Sequence, residues 1–100
     1  KTAEPFFVTM PYEEAQQKVA IKLSTHVGQE LDIILKGAMK VQVGNHIEVL
    51  HEGDSIYYNS ATPHGSKAAA YRKKENATAN MRAAFFILES PTILQGANLR

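Results

Sequence analysis

ELDIILKGAMKVQVGNHIEVLHEGDSIYY, residues 30–58, reads as one short strand after another. Leu31, Ile33 and Leu35 alternate with their neighbours, and Lys36-Gly37 then turns the chain. Met39, Val41 and Val43 alternate with Lys40 and Gln42. Gly44-Asn45 is a hairpin signal, because both residue types tolerate positive φ. Ile47 and Val49 follow, Glu52-Gly53-Asp54 turns again, and Ile56-Tyr57-Tyr58 is a third β-rich run. Period-two alternation broken by closely spaced turns predicts a sandwich or barrel rather than a parallel α/β sheet.

Outward from this stretch the pattern weakens. Upstream, Phe6-Phe7-Val8 predicts an edge strand closed by Pro11, which has no N–H to give a ladder. Tyr12 to Gln17 suits one helical turn, and Val19, Ile21 and Leu23 alternate as a half-buried strand would. Downstream, Phe85 to Leu88 reads as the closing strand. Ser66 to Met81 is Ala-rich and polar, with a basic triplet Arg72-Lys73-Lys74. Its start extends a strand, and the remainder reads as a loop or short helix whose triplet is a solvated face. The expectation is one domain over residues 1–100, with a barrel core at about 5–90 and a tail at 91–100.

Bulk properties exclude several functions. A net charge of +1 gives no reason for direct nucleic-acid contact by this domain. The chain has no cysteine, which removes disulfides, thiolate catalysis and Cys-based zinc sites, and suits a reducing cytoplasm. No apolar run approaches the roughly 18 residues of a membrane helix. The chain begins at Lys1 rather than Met, as a processed chain or an excised domain would.

Between His26 and His64 the residues become specific. His26, Gly28, Glu30 and Gly37 are followed by Gly53-Asp54 and Pro63-His64. This resembles the two signature motifs of the cupin superfamily. The first has two histidines one residue apart, a glutamate four residues after the second, and a glycine seven further on. His26, Glu30 and Gly37 fall on those positions, and Ser24 stands where the first histidine belongs. Gly53 and His64 match the ends of the second motif, while Asn59, Ala61 and Ala68 depart from it. The resemblance implies an all-β fold, a double-stranded β-helix (jelly-roll, or cupin barrel) of about eight or more short strands, with a pocket inside.

The runs Leu23–Asp32, Gly53–Ser60 and Thr62–Gly65 are similar to one cupin subgroup, the C-terminal ligand-sensing half of bacterial helix-turn-helix transcriptional regulators. That implies a small-ligand-sensing domain whose DNA-binding part is not in this chain. The alternative is a small metal-dependent cupin enzyme, an isomerase or dioxygenase. No catalytic residue is assigned in the leading reading.

The chemistry is legible without the family. Two imidazoles and a carboxylate on one point suit iron, manganese, nickel or zinc, as in the facial triad of non-haem iron sites. The resemblance makes His26, Glu30 and His64 the metal-ligand set, incomplete because Ser24, a poor ligand, stands where the family's first histidine belongs. The same three with Asp32 and Tyr58 form the candidate small-molecule site. The competing reading makes His26 and His64 satisfied barrel histidines and Asp32 part of a solvated face. Glu30, Asp32 and Ile34 share one face of a strand, so buried carboxylates there need partners; Lys22, Lys40 and Arg82 are candidates. Tyr57 and Tyr58 must point opposite ways, and core packing competes with ligand contact for the inward one. His46 and His51, beside turns, are expected at the surface. Strict alternation from Leu23 would turn Ser24 and His26 outward unless a bulge intervenes. Free strand edges and Phe6-Phe7 predict a homodimer.

Overall fold

Gly37 turns the chain at φ +77°, ending one strand, β2 (Gln29–Lys36), and beginning the next, β3 (Ala38–Val43). The turn is also a close approach, because a Cβ there would lie 2.9 Å from the Asn80 carbonyl oxygen. Only glycine satisfies both conditions without strain. The turn moves the chain from one sheet to another. The corner between β4 (His46–His51) and β5 (Ser55–Asn59) moves it back. The two corners are tied together: the Gly37 amide donates to Glu52 Oε2 (3.2 Å), and the Gly53 amide to the Ile34 carbonyl (2.9 Å).

The computed structural model describes residues 4–70 and 80–88. Among these are seven strands, completed by β1 (Pro5–Met10), β6 (His64–Ala68) and β7 (Met81–Leu88). They form two antiparallel sheets, β1-β7-β2-β5 and β4-β3-β6. Consecutive strands that change sheets at tight corners make this a jelly roll. Arg72-Lys73-Lys74, most of the Ser66–Met81 segment and the 91–100 tail lie outside the described residues.

Side-chain parity sets the interior. Ile34, Met39, Val41, Leu50, Ala68, Met81 and Ala83 pack as the core. On β2 the inward set is Glu30, Asp32 and Ile34, whereas Leu31 and Ile33 are half-buried and Leu35 is exposed. The barrel thus turns the more polar face of β2 inward at one end.

Residues 11–26 correct the sequence reading. The helical turn is present as a short 3₁₀ helix, Glu14–Lys18. The strand expected at Val19–Leu23 is absent: Val19 is 51% exposed, and pairing begins only with a Ser24–His64 bridge. Alternation reports an extended chain, and an extended chain alternates whether or not it has ladder partners. This segment crosses β6 rather than joining it. A Cβ on Gly65 would sit 2.3 Å from the Lys22 carbonyl oxygen. The ties are few. Lys67 Nζ donates to the carbonyls of Gln16 and Val19 (2.6 Å each), and Gln17 Nε2 donates to that of Ala68 (3.2 Å). Because no pleated strand runs through 19–26, the alternation argument against an inward His26 does not apply.

Candidate metal and ligand site

Glu30 stands on β2 opposite Tyr58 on β5. His64 opens β6, and His26 lies in the crossing segment. The His26 amide donates to the Ser60 carbonyl (3.0 Å) and the Ser60 amide to the Gly28 carbonyl (2.8 Å), which hold the His26 turn over β5. Gly28 takes φ +107° in that turn.

These elements bring His26, Glu30 and His64 together. His26 Nε2 lies 3.4 Å and His64 Nε2 3.7 Å from the same atom, Glu30 Oε1. One ligand atom from each residue falls within 4.8 Å of the others. The imidazoles meet edge-on at 5.0 Å. Both tautomers are fixed from outside. His64 Nδ1 is 2.8 Å from the Thr62 carbonyl and His26 Nδ1 is 3.3 Å from that of Val27. A carbonyl only accepts, so each Nδ1 carries a proton, and it is Nε2 of each ring that is left for a metal. Two neutral imidazole nitrogens and a carboxylate oxygen aimed at one point fit a divalent metal.

Asp32 and Tyr58 lie beside this group. The Tyr58 hydroxyl donates to Asp32 Oδ2 (3.4 Å), and its ring packs against His64 at 4.9 Å. Asp32 is 1% exposed, which replaces the solvated-face reading. Burial first, then the nearby Glu30 carboxylate, push its carboxyl up to about 9, with the Tyr58 hydrogen bond acting the other way. Burial and both carboxylates also raise the Tyr58 phenol, which therefore stays protonated. Lys22, Lys40 and Arg82 form no ion pair with these carboxylates; the Arg82 guanidinium lies 5.7 Å from the Phe7 ring centroid. Imidazoles and a phenol stand beside the carboxylates instead.

Ser60 and Gln29 were missed in the sequence. Ser60 is fully buried, and its Oγ, Gln29 Oε1 and Asp32 Oδ1 have no hydrogen-bond partner among the described residues. Ser60 follows Tyr58 by two positions, a spacing that a β-period reading could have carried inward. The Thr62 carbonyl has no sequence signal at all. Of the other expectations, Tyr58 faces in, while His46 and His51 are exposed, with His46 paired to Glu48. A cleft of about 380 Å³, lined by Thr25–Gln29, Asn59 and Ala61, opens beside His26. No helix among the described residues is long and apolar enough to cross a membrane.

Solved structures share this architecture. Hydroxypropylphosphonic acid epoxidase from S. wedmorenis, in complex with fosfomycin, is 18% identical with a TM-score of 0.65, over 87% of this chain and 44% of that one. FeII HppE in complex with substrate is 20% identical with a TM-score of 0.66, over 87% and 46%. An HTH_3 family transcriptional regulator from Vibrio cholerae is 21% identical with a TM-score of 0.65, over 89% and 44%. The chain thus spans less than half the length of each of these proteins, and at such identities the likeness concerns the fold. No curated protein sequence matches the chain. The family model of the cupin domain matches residues 9–71, well over half the chain and the whole stretch from the 3₁₀ helix to the end of β6, so the chain belongs to the cupin family.

Proposed function

We propose that residues 1–100 form one ligand-sensing cupin domain that holds a divalent metal on His26, Glu30 and His64 and binds a small molecule there. The observation that carries this reading is the aim of the donors: both Nε2 atoms face one carboxylate oxygen, at 3.4 and 3.7 Å, with each Nδ1 engaged by a backbone carbonyl. When bound, the metal supplies a Lewis-acidic centre for the ligand. The chain's own residues orient the donors and keep water from the buried side, with Tyr58 and Asp32 forming that wall. Binding energy that differs between two states of the protein is what a sensor transmits. The regulatory half of a transcription factor is the setting we favour, on the fold likeness to the Vibrio cholerae regulator. Exposed Phe6 and Phe7 on the edge strand β1 support a homodimer.

Metal analysis with titration of iron(II), manganese, nickel and zinc tests the site. One ion per chain is expected. His64→Ala should weaken uptake by more than the ~10–100-fold typical of losing an outer hydrogen-bond partner to a ligand. No uptake of any of the four would overturn the reading. The enzyme alternative, an isomerase or dioxygenase, draws on the same donor set; dioxygen consumption or product formation by the iron-loaded domain would favour it.

A further inference from the structure

Ser24 is paired through its backbone with His64, one of the three donors. Ser24 and His64 exchange both backbone hydrogen bonds, at 2.9 and 3.0 Å. Residues paired in this way send their side chains to the same face of the ladder, with Cα atoms about 5.5 Å apart. The His64 side chain turns inward to Glu30 and Tyr58. Ser24 therefore stands beside it on the same face, at the solvent end, where it is exposed. His26, two residues on, supplies a donor of the same group. Solvent reaches the three unevenly: the His26 side chain is 36% exposed, against 6% for Glu30 and 9% for His64. Access is thus from the segment that carries Ser24, and the cleft beside Thr25–Gln29 lies on that side.

Charge then limits what enters. A divalent ion with two neutral imidazoles and one carboxylate keeps a net charge of about +1. A serine side chain is too short to fill the remaining position, yet it offers one O–H donor next to it.

We propose that Ser24 is the specificity-determining residue of this site: it leaves one metal position open to a small anion, such as a carboxylate, and donates its hydroxyl hydrogen bond to that anion. This rests on the metal reading above. The test uses cobalt(II) as a visible-absorbing ion and azide as the anion, with the full chain and two variants. Wild type should bind cobalt(II), and azide should shift its absorption. Ser24→Ala should hold cobalt(II) within about 3-fold of wild type but bind azide about 10-fold more weakly, the size of one hydrogen bond to a charged group. Ser24→His should bind cobalt(II) at least about 10-fold more tightly and lose the azide response. Circular dichroism checks that both variants stay folded, which the exposure of Ser24 leads us to expect. If wild type binds cobalt(II) but azide has no effect, or if Ser24→Ala or Ser24→His binds azide as wild type does, the role of Ser24 is overturned and the metal reading stands. If wild type takes up no cobalt(II), both fall.

Discussion

Along β2 the inward positions change character within one strand: Glu30 and Asp32 face in at one end, Ile34 at the other. Around Ile34 lie Met39, Val41, Leu50, Met81 and Ala83, side chains with nothing to satisfy but volume. Around Glu30 lie His26, Tyr58 and His64, and Oδ1 of the neighbouring Asp32 has no hydrogen-bond partner among the described residues. The apolar end is built for packing. The polar end gives up stability to keep donors and acceptors in a dry place. A barrel can do both because its pleat lets each inward position be chosen independently of its neighbours.

The largest effect should come from the apolar end. Met39 and Met81 are both 0% exposed. Met39→Ala should cost about 2–5 kcal/mol in chemical denaturation, with little change in the donor geometry. A loss below about 1 kcal/mol would mean that the two ends are less distinct than the packing implies. Gly65→Ala couples the ends. Its new Cβ must push the Lys22 carbonyl away, and with it the segment bearing His26. We expect a loss of about 1–3 kcal/mol and weaker metal uptake together, measured by denaturation and calorimetry on one preparation.

At the polar end the sign reverses. The Asp32 carboxyl has a folded pKa of about 9 against an ordinary 3.8, so its contribution is fully present below about pH 4. Stability then falls as pH rises toward 9, because the unfolded chain ionises first. Asp32→Asn removes that titration. It should flatten the slope between pH 4 and 9 and raise stability at pH 7 by about 1–3 kcal/mol. An unchanged slope would show that another group dominates it. The smallest effect belongs to neither end: His46→Ala, breaking an exposed pair with Glu48, should change the unfolding free energy by less than ~0.5 kcal/mol in chemical denaturation.

The two ends were also unequally legible in sequence. Strands β2 to β5 and their turns follow from period-two alternation and from glycine at corners. His26, Glu30 and His64 stood out by their resemblance to the cupin motifs. The false strand at Val19–Leu23 shows the limit of that method, because a period describes side chains while a strand requires partners for its backbone. The choice of cationic partners failed for a related reason. Lys22, Lys40 and Arg82 have the right charge, but the register places imidazoles and a phenol next to the carboxylates. Register depends on which strands meet, and one sequence does not state that.

The crossing segment gives the three donors different histories. Glu30 stands within a ladder and His64 heads another, whereas His26 rides on a strap held at points, by the Ser24–His64 bridge, the amide hydrogen bonds of His26 and Ser60, and the side chains of Gln17 and Lys67. Short, point-fastened segments open more often than ladders do. Glu30 and His64 would hold a bound ion from ladders, and His26 would hold it from the strap. Exchange rates at this centre would then be governed by how often the strap lifts, so amide-hydrogen exchange at Ser24 and His26 should keep time with metal release.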